Sequence, residues 1–238
     1  PLRLVGSEMC IRDRCIINTL RKDGIDTSGI IEVGGRNTLT KIRFYGSREN
    51  LLDQEQILLQ ADRGPLDELD SNISESLTKA SLESLSESQA LVISDYNKGV
   101  ITEEGSEALI SAAKSLGIPS IVDPKLTGLS RSKGADIVIF GIRGLELQNK
   151  RLMTSSLDKA ASHLIDTYDW GALLVLGGVN GVTLHSDNGS RVFFPCRADA
   201  PKQQIGLNDA AATALAAALG NGLGCLLYTS PSPRDVEE

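Results

Sequence analysis

The sequence predicts an α/β fold, a mostly parallel sheet with helices on both faces. Short apolar runs alternate with amphipathic stretches. The apolar runs end in charged or polar residues. No repeat or low-complexity linker breaks the pattern over residues 15–224. Strand, helix, strand in this rhythm is the signature of a parallel sheet with covering helices.

Each element has its own justification. "ALVISDY" (Ala90–Tyr96) is an apolar run ending in polar residues and reads as a strand. "TEEGSEALISAAKSLG" (Thr102–Gly117) reads as a helix. Thr102 caps it, Glu103 and Glu104 suit its first turn, and Gly117 closes it. "IPSIVDPK" (Ile118–Lys125) and "ADIVIFG" (Ala135–Gly141) are the next strands. "SSLDKAASHLIDTYD" (Ser155–Asp169) is a helix, and "GALLVLGG" (Gly171–Gly178) a strand. "GVTLHS" and "RVFFP" flank "DNG" (Asp187–Gly189), a hairpin signal. "NDAAATALAAALGNG" (Asn208–Gly222) is an Ala-rich helix with a capping residue at its start. Upstream, "TLTKIRFY" (Thr38–Tyr45) alternates and predicts a half-buried strand, antiparallel or at an edge. The acidic, Ser-rich stretch Pro65–Ser88 has leucines at helical spacing and predicts a solvated surface helix.

The two ends do not share this pattern. Residues 1–14 can be encoded by a DNA string whose reverse complement, in a shifted frame, encodes residues 225–238. That string resembles the adapter of a transposase-based sequencing library. Both ends are therefore expected to be artefact, with 15–224 the natural portion, cut at both of its ends. The charges spread through residues 1–14 also argue against a secretory signal. The whole chain carries −7. The first tail contributes +1 and the second −2, which leaves −6 for residues 15–224. Cys10 and Cys225 fall in the tails, and Cys15 and Cys196 remain. Two separated cysteines without metal spacing suggest a reducing cytoplasm. No run is long and apolar enough for a membrane helix. The acidic balance argues against a nucleic-acid partner, which would want clustered Lys and Arg.

In a parallel sheet, ligands sit beyond the carboxyl ends of the strands. The most informative stretch is "IGLNDAAATALAAAL", a small loop opening a helix with Asp209 in its first turn. Free N–H groups and the helix dipole favour an anion there. A carboxylate at that point can take a proton from a hydroxyl attacking phosphorus. On the residues alone, Asn208 as a plain cap and Asp209 as a dipole complement is the favoured reading. His163 and His185 lack ligand spacing. Trp170 reads as a packing residue, and Cys196 as a small hydrophobe at a strand end.

The order of motifs carries a resemblance. "TLTKIR" (Thr38–Arg43), "SDYNKG" (Ser94–Gly99), "DPK" (Asp123–Lys125), a Gly-rich turn after "LLVLGG", then "GLND" (Gly206–Asp209) resembles the PfkB (ribokinase-like) sugar kinases. Within them, the heptose 7-phosphate kinase domain of ADP-heptose synthesis proteins is the nearest pattern. The likeness covers nearly all of 15–224. It implies a ribokinase-like fold with part of a small lid sheet that includes "TLTKIRFY". It also implies an ATP-dependent kinase, using Mg²⁺, that phosphorylates a sugar phosphate in the cytoplasm. A nucleotidyltransferase, fused or separate, and a homodimer are the partners it suggests.

The resemblance also implies roles by position. Asp209 is the base that accepts the sugar hydroxyl proton. The N–H groups of Gly206, Leu207 and Asn208 form the anion hole. Gly178 and Gly181 match the nucleotide-side glycines. Lys125 and Lys98 stand at strand ends, as phosphate- and substrate-facing groups or as ordinary surface lysines. Asp95, Lys41 and Arg43 fall on the substrate side. The family's Asn-x-x-Glu maps onto Arg143–Glu146, with Glu146 on the metal side and Arg143 beside phosphate.

Departures from the family pattern open a second reading. Gln203, Ile205 and Asn208 replace Asp, Thr and Gly of its loop, and Leu176 replaces a polar residue. Asn208 would tolerate positive φ but crowd a phosphate. Arg143 puts a cation where a neutral ligand is usual. The family's Gly-Gly sugar-binding segment has no match. The alternative is a degenerate kinase fold without catalysis, which binds a nucleotide or sugar phosphate or supports a partner domain.

Overall fold

The computed structural model describes residues 16–36, 38–46, 56–65, 69–196 and 206–223. Both tails, Cys15, Gln203 and Ile205 lie outside the described residues. The chain divides into two units between Ile73 and Ser74.

In the first unit, α1 (16–22) precedes a hairpin of β1 (Thr40–Gly46) and β2 (Gln56–Arg63). The strands are antiparallel, as expected, with a register shift between Phe44 and Tyr45. Ile42 pairs with Ala61 and Phe44 with Leu59 on one face, while Lys41 pairs with Asp62 and Arg43 with Gln60 on the other. The expected half-burial is not met. Ile42 and Phe44 are 40% and 50% exposed. A two-stranded ribbon is a single layer and cannot bury a face by itself.

The second unit is the α/β body. Its helices are α2 (Ser71–Leu85, entering from the first unit), α3 (Glu103–Leu116), α4 (Ile142–Leu152), α5 (Leu157–Tyr168) and α6 (Leu207–Gly220). Its strands are β3 (Leu91–Ser94), β4 (Ser120–Asp123), β5 (Ile137–Gly141), β6 (Ala172–Leu176), β7 (Val182–Ser186) and β8 (Arg191–Phe194). They form one sheet in the order β3-β4-β5-β6-β7-β8. The first four strands are mutually parallel, and β7 and β8 add antiparallel as the predicted hairpin.

The sheet is apolar on both faces. Val122, Val138, Phe140, Leu173 and Val175 face a core completed by Leu109 and Ile110 of α3, Leu145 of α4 and Leu164 and Ile165 of α5. Ile121, Ile137, Ile139 and Leu174 face the opposite core, closed by Ala212 and Leu215 of α6. Right-handed crossovers between strands that add in one direction put all their helices on one face. The other face must then be covered by a helix outside that run, and α6 does so. Leu176 belongs to this second core at 7% exposure.

The caps explain where helices begin and end. Thr102 accepts the Gly105 N–H at 3.0 Å, and Gly117 closes α3 in the left-handed region. Ser156 caps α5 through Lys159 N–H. Trp170 is buried after α5, stacked on Tyr168 and edge-on to Phe140, and its indole N–H donates to Ser132. The packing role expected for it holds.

Candidate active site

The site grows from the carboxyl ends of β3 and β4 and the first turn of α6. Gly206 sits in the left-handed region at φ 82, and α6 starts at Leu207. The first rung of the helix runs from Ala210 N–H to the Gly206 carbonyl at 2.9 Å. The N–H groups of Leu207, Asn208 and Asp209 precede that ladder, as the opening N–H groups of a helix do. Two sequence expectations change here. Asn208 does not cap α6, because it lies inside the first turn and the helix has no side-chain cap. Nor does it need positive φ, since Gly206 takes the left-handed position. Its side chain points to the sheet, where Nδ2 donates to Asp123 Oδ1 at 3.0 Å.

Asp209 is exposed and held by two hydroxyls from the end of β3. Ser94 Oγ donates to Oδ1 at 3.3 Å, and Tyr96 Oη lies 3.3 and 3.2 Å from the two carboxylate oxygens. Burial, and next the Asp209 charge, raise the Tyr96 hydroxyl above its usual range, so it stays a donor. Lys125 Nζ stands 4.5 Å from the centre of the Tyr96 ring. Asp123, at 5% exposure, has its carboxyl raised mainly by burial; the Asn208 amide and the Lys125 charge pull it back down, and Asp209 adds to the rise.

A buried network fixes the loop that carries Tyr96. Asp95 is 4% exposed and accepts Arg131 Nε at 2.6 Å and the Asn97 N–H at 2.7 Å. Arg131 Nη2 also donates to Asn97 Oδ1 at 2.5 Å, and Asn97 Nδ2 donates to Thr127 at 2.9 Å. Asn97 itself sits at φ 53, a conformation Asn tolerates. Arg131 arrives from a 3₁₀ turn, Leu129–Ser132. Both Asp95 oxygens are therefore engaged within the protein.

The remaining candidates of the second unit follow β3, β5 and β6. Lys98 is exposed on the loop after β3. Arg143 and Glu146 are exposed on the first turns of α4, which follows β5. Gly178 and Gly181 bracket the turn after β6, at φ 59 and 85. The Gly177 N–H closes that turn on the Gly181 carbonyl at 2.8 Å. A Cβ on Gly181 would collide with the Phe194 carbonyl, so this glycine is needed for packing. Lys41 and Arg43 lie on β1 in the first unit. Among the described residues no cluster of three or more His, Cys, Asp or Glu could hold a metal, and no helix is long and apolar enough to cross a membrane.

Sequence reasoning left Ser94, Tyr96, Asp123, Asn97 and Arg131 out of the site. The first four sit inside the motifs "SDYNKG" and "DPK", which were the available signal. Nothing local marks Arg131.

Comparison with known proteins gives the relationship. No family model matches the chain. It is 30% identical over 217 residues to "Bifunctional protein HldE" of Magnetococcus marinus, covering 87% of this chain and 42% of that one. It is 31% identical over 195 residues to HldE of Salmonella newport, covering 81% and 38%. Ribokinase of Thermotoga maritima superposes with a TM-score of 0.65 at 21% identity, over 91% of this chain and 66% of that one. This chain is a ribokinase-fold relative of HldE. Arabidopsis thaliana ribokinase, solved with ribose and ATP, superposes at 0.60 with 16% identity, over 87% and 64%. Phosphofructokinase-2 of Escherichia coli superposes at 0.55 with 21% identity, over 71% and 57%. The chain spans about two fifths of the length of the HldE proteins it matches.

Proposed function

We propose that this domain is an ATP-dependent carbohydrate kinase, acting on a sugar phosphate of the heptose 7-phosphate class in ADP-heptose synthesis. The observation that carries the reading is Asp209, an exposed carboxylate in the first turn of α6 gripped by Ser94 and Tyr96. The fit to a nucleotide rests on that turn. Gly206 and the opening N–H groups of Leu207 and Asn208 suit a phosphate. Lys125 at the end of β4 and the glycine turn at 178–181 are the nucleotide-side groups of this reading. Mg²⁺ held mostly by phosphates needs only one or two carboxylates, and Glu146 is the one assigned. Arg143, on the same helix, is assigned to phosphate charge.

Bound ATP and Mg²⁺ supply the phosphoryl group and much of the charge neutralisation. Asp209 accepts the proton of the attacking sugar hydroxyl. The anion hole stabilises charge on the phosphoryl oxygens, so catalysis is chiefly positioning and electrostatics. Lys98, Lys41 and Arg43 are assigned to the sugar phosphate. A cytoplasmic setting, a nucleotidyltransferase partner and a homodimer belong to the same proposal, with 1–14 and 225–238 outside the functional domain.

The test gives the chain ATP, Mg²⁺ and a panel of hexose and heptose phosphates. Asp209→Asn is expected to lower the rate by about 10²- to 10⁴-fold. An unchanged rate rules out Asp209 as the base. A non-catalytic binding domain is the second reading, favoured by the Asp209 carboxylate already holding two hydroxyls. Calorimetry showing Mg²⁺-dependent ATP binding together with turnover would exclude it.

A further inference from the structure

We propose that Asn208 and Asp123 are a positioning pair: the Asn208 amide, donating to Asp123 Oδ1, holds the first turn of α6 against the end of β4 and so aims the Asp209 carboxylate and the N–H groups before it. The inference rests on the kinase reading of the site. It begins from a residue type that the family resemblance makes anomalous. A glycine at 208 could not donate a side-chain hydrogen bond, and this chain uses the donor it has.

Two observations show why α6 needs such an anchor. First, α3 and α5 are each tied at the start by a hydroxyl cap, Thr102 and Ser156, whereas α6 has no side-chain cap and begins at a left-handed glycine. Its opening turn is fixed in place only by contacts with other elements. Second, Asp123 is a nearly buried carboxylate, and a buried polar group is costly without a partner. The Asn208 amide answers both needs with one bond. The next residue, Asp209, is gripped in turn by Ser94 and Tyr96 from β3. Successive residues of one helical turn are thus tied to adjacent strands. The charged and titratable groups around Asp123 are Lys125 on its own connection, Tyr96 from the β3 loop and Asp209 from α6.

Four variants test the pair, read by kcat, KM for ATP, the pH–rate profile and the thermal midpoint, with the sugar-phosphate panel as acceptors. Asn208→Ala is expected to lower kcat by about ten- to a hundredfold, the cost of a small misplacement of reacting groups. KM for ATP should change far less. Asn208→Asp puts two carboxylates within hydrogen-bond distance, and such a pair holds a shared proton. Its rate should be lower than that of Asn208→Ala at neutral pH and recover as pH falls. The exchanged pair, Asn208→Asp with Asp123→Asn, restores an amide–carboxylate bond and should regain most of the rate at neutral pH. Asp123→Ala alone, which removes the acceptor, should lower kcat as Asn208→Ala does. Wild-type kcat and pH profile in Asn208→Ala would overturn the inference, as would an exchanged pair no better than Asn208→Asp. A wild-type chain that phosphorylates nothing removes the kinase reading and this inference together. Turnover that is lost in Asp209→Asn but kept in Asn208→Ala removes the inference alone.

Discussion

At the scale of single residues, Tyr96 is the most consequential side chain that the motif reading passed over. Its hydroxyl reaches both oxygens of Asp209 while its ring lies beside the Lys125 ammonium. Tyr96→Phe keeps the ring and removes only the donor. A hydrogen bond to a charged group contributes about 1.5–3 kcal/mol. Tyr96→Phe is therefore expected to lower kcat by about tenfold or more, with little change in KM for ATP, as steady-state kinetics would read. His185 is a second residue with a defined consequence. It is 7% exposed on β7, with Asp158 Oδ1 3.8 Å from Nδ1. Burial lowers it below its ordinary value of 6.5, and Arg191 adds to the lowering while Asp158 opposes it. A lowered value means the folded state prefers the neutral ring. The associated stability is present above 6.5 and is lost as pH falls through the depressed folded value. Unfolding midpoints measured across that window should fall less steeply in His185→Gln than in the wild type.

At the scale of elements, the 3₁₀ turn Leu129–Ser132 matters more than its length suggests. It delivers Arg131 to Asp95 and Asn97, and Ser132 to the Trp170 indole. Removing one partner of a buried ion pair leaves an uncompensated charge and costs about 3–5 kcal/mol. Arg131→Ala should approach that loss in a denaturant titration, and Asp95→Asn in the same chain should return part of it. The capped helices were legible because their signals are local: Thr102 before two glutamates and Gly117 after the last apolar residue. α4 was not. Its eleven residues include Gly144 and a majority of polar side chains, and only Leu145 and Gln148 are buried. Ile142, Leu145 and Leu152 do stand at helical spacing and pack on one core, but the stripe is short and Gly144 and the polar majority mask it. β2 was missed for a related reason, since "QILLQADR" lacks clean alternation and is defined by its pairing with β1.

At the scale of the whole molecule, the second unit is one sheet with two apolar faces, and that doubling is why its strands read as unbroken apolar runs. The mostly parallel sheet, the hairpin after β6 and the likeness to HldE were all legible from periodicity and motif order. These are properties of neighbours in the chain: φ/ψ preference, caps, and the spacing of apolar side chains. The site was legible only in part. Asp209 could be named from its place in the first turn of a helix. The hydroxyls that hold it come from Ser94 and Tyr96, more than a hundred residues earlier, and Asn208 meets Asp123 across 85 positions. Residues so far apart leave no trace of their pairing in one sequence, and the same letters allow a cap, a surface group or a ligand. The sequence by itself determined most of the element types, the two-sided core and the helix on which the reactive carboxylate stands. Only the tertiary structure decided that Asn208 turns to the sheet and that Asp95 is consumed by Arg131. Both outcomes follow from one physical cause: carboxylates buried at strand ends must find donors, and folding decides which donors are within reach.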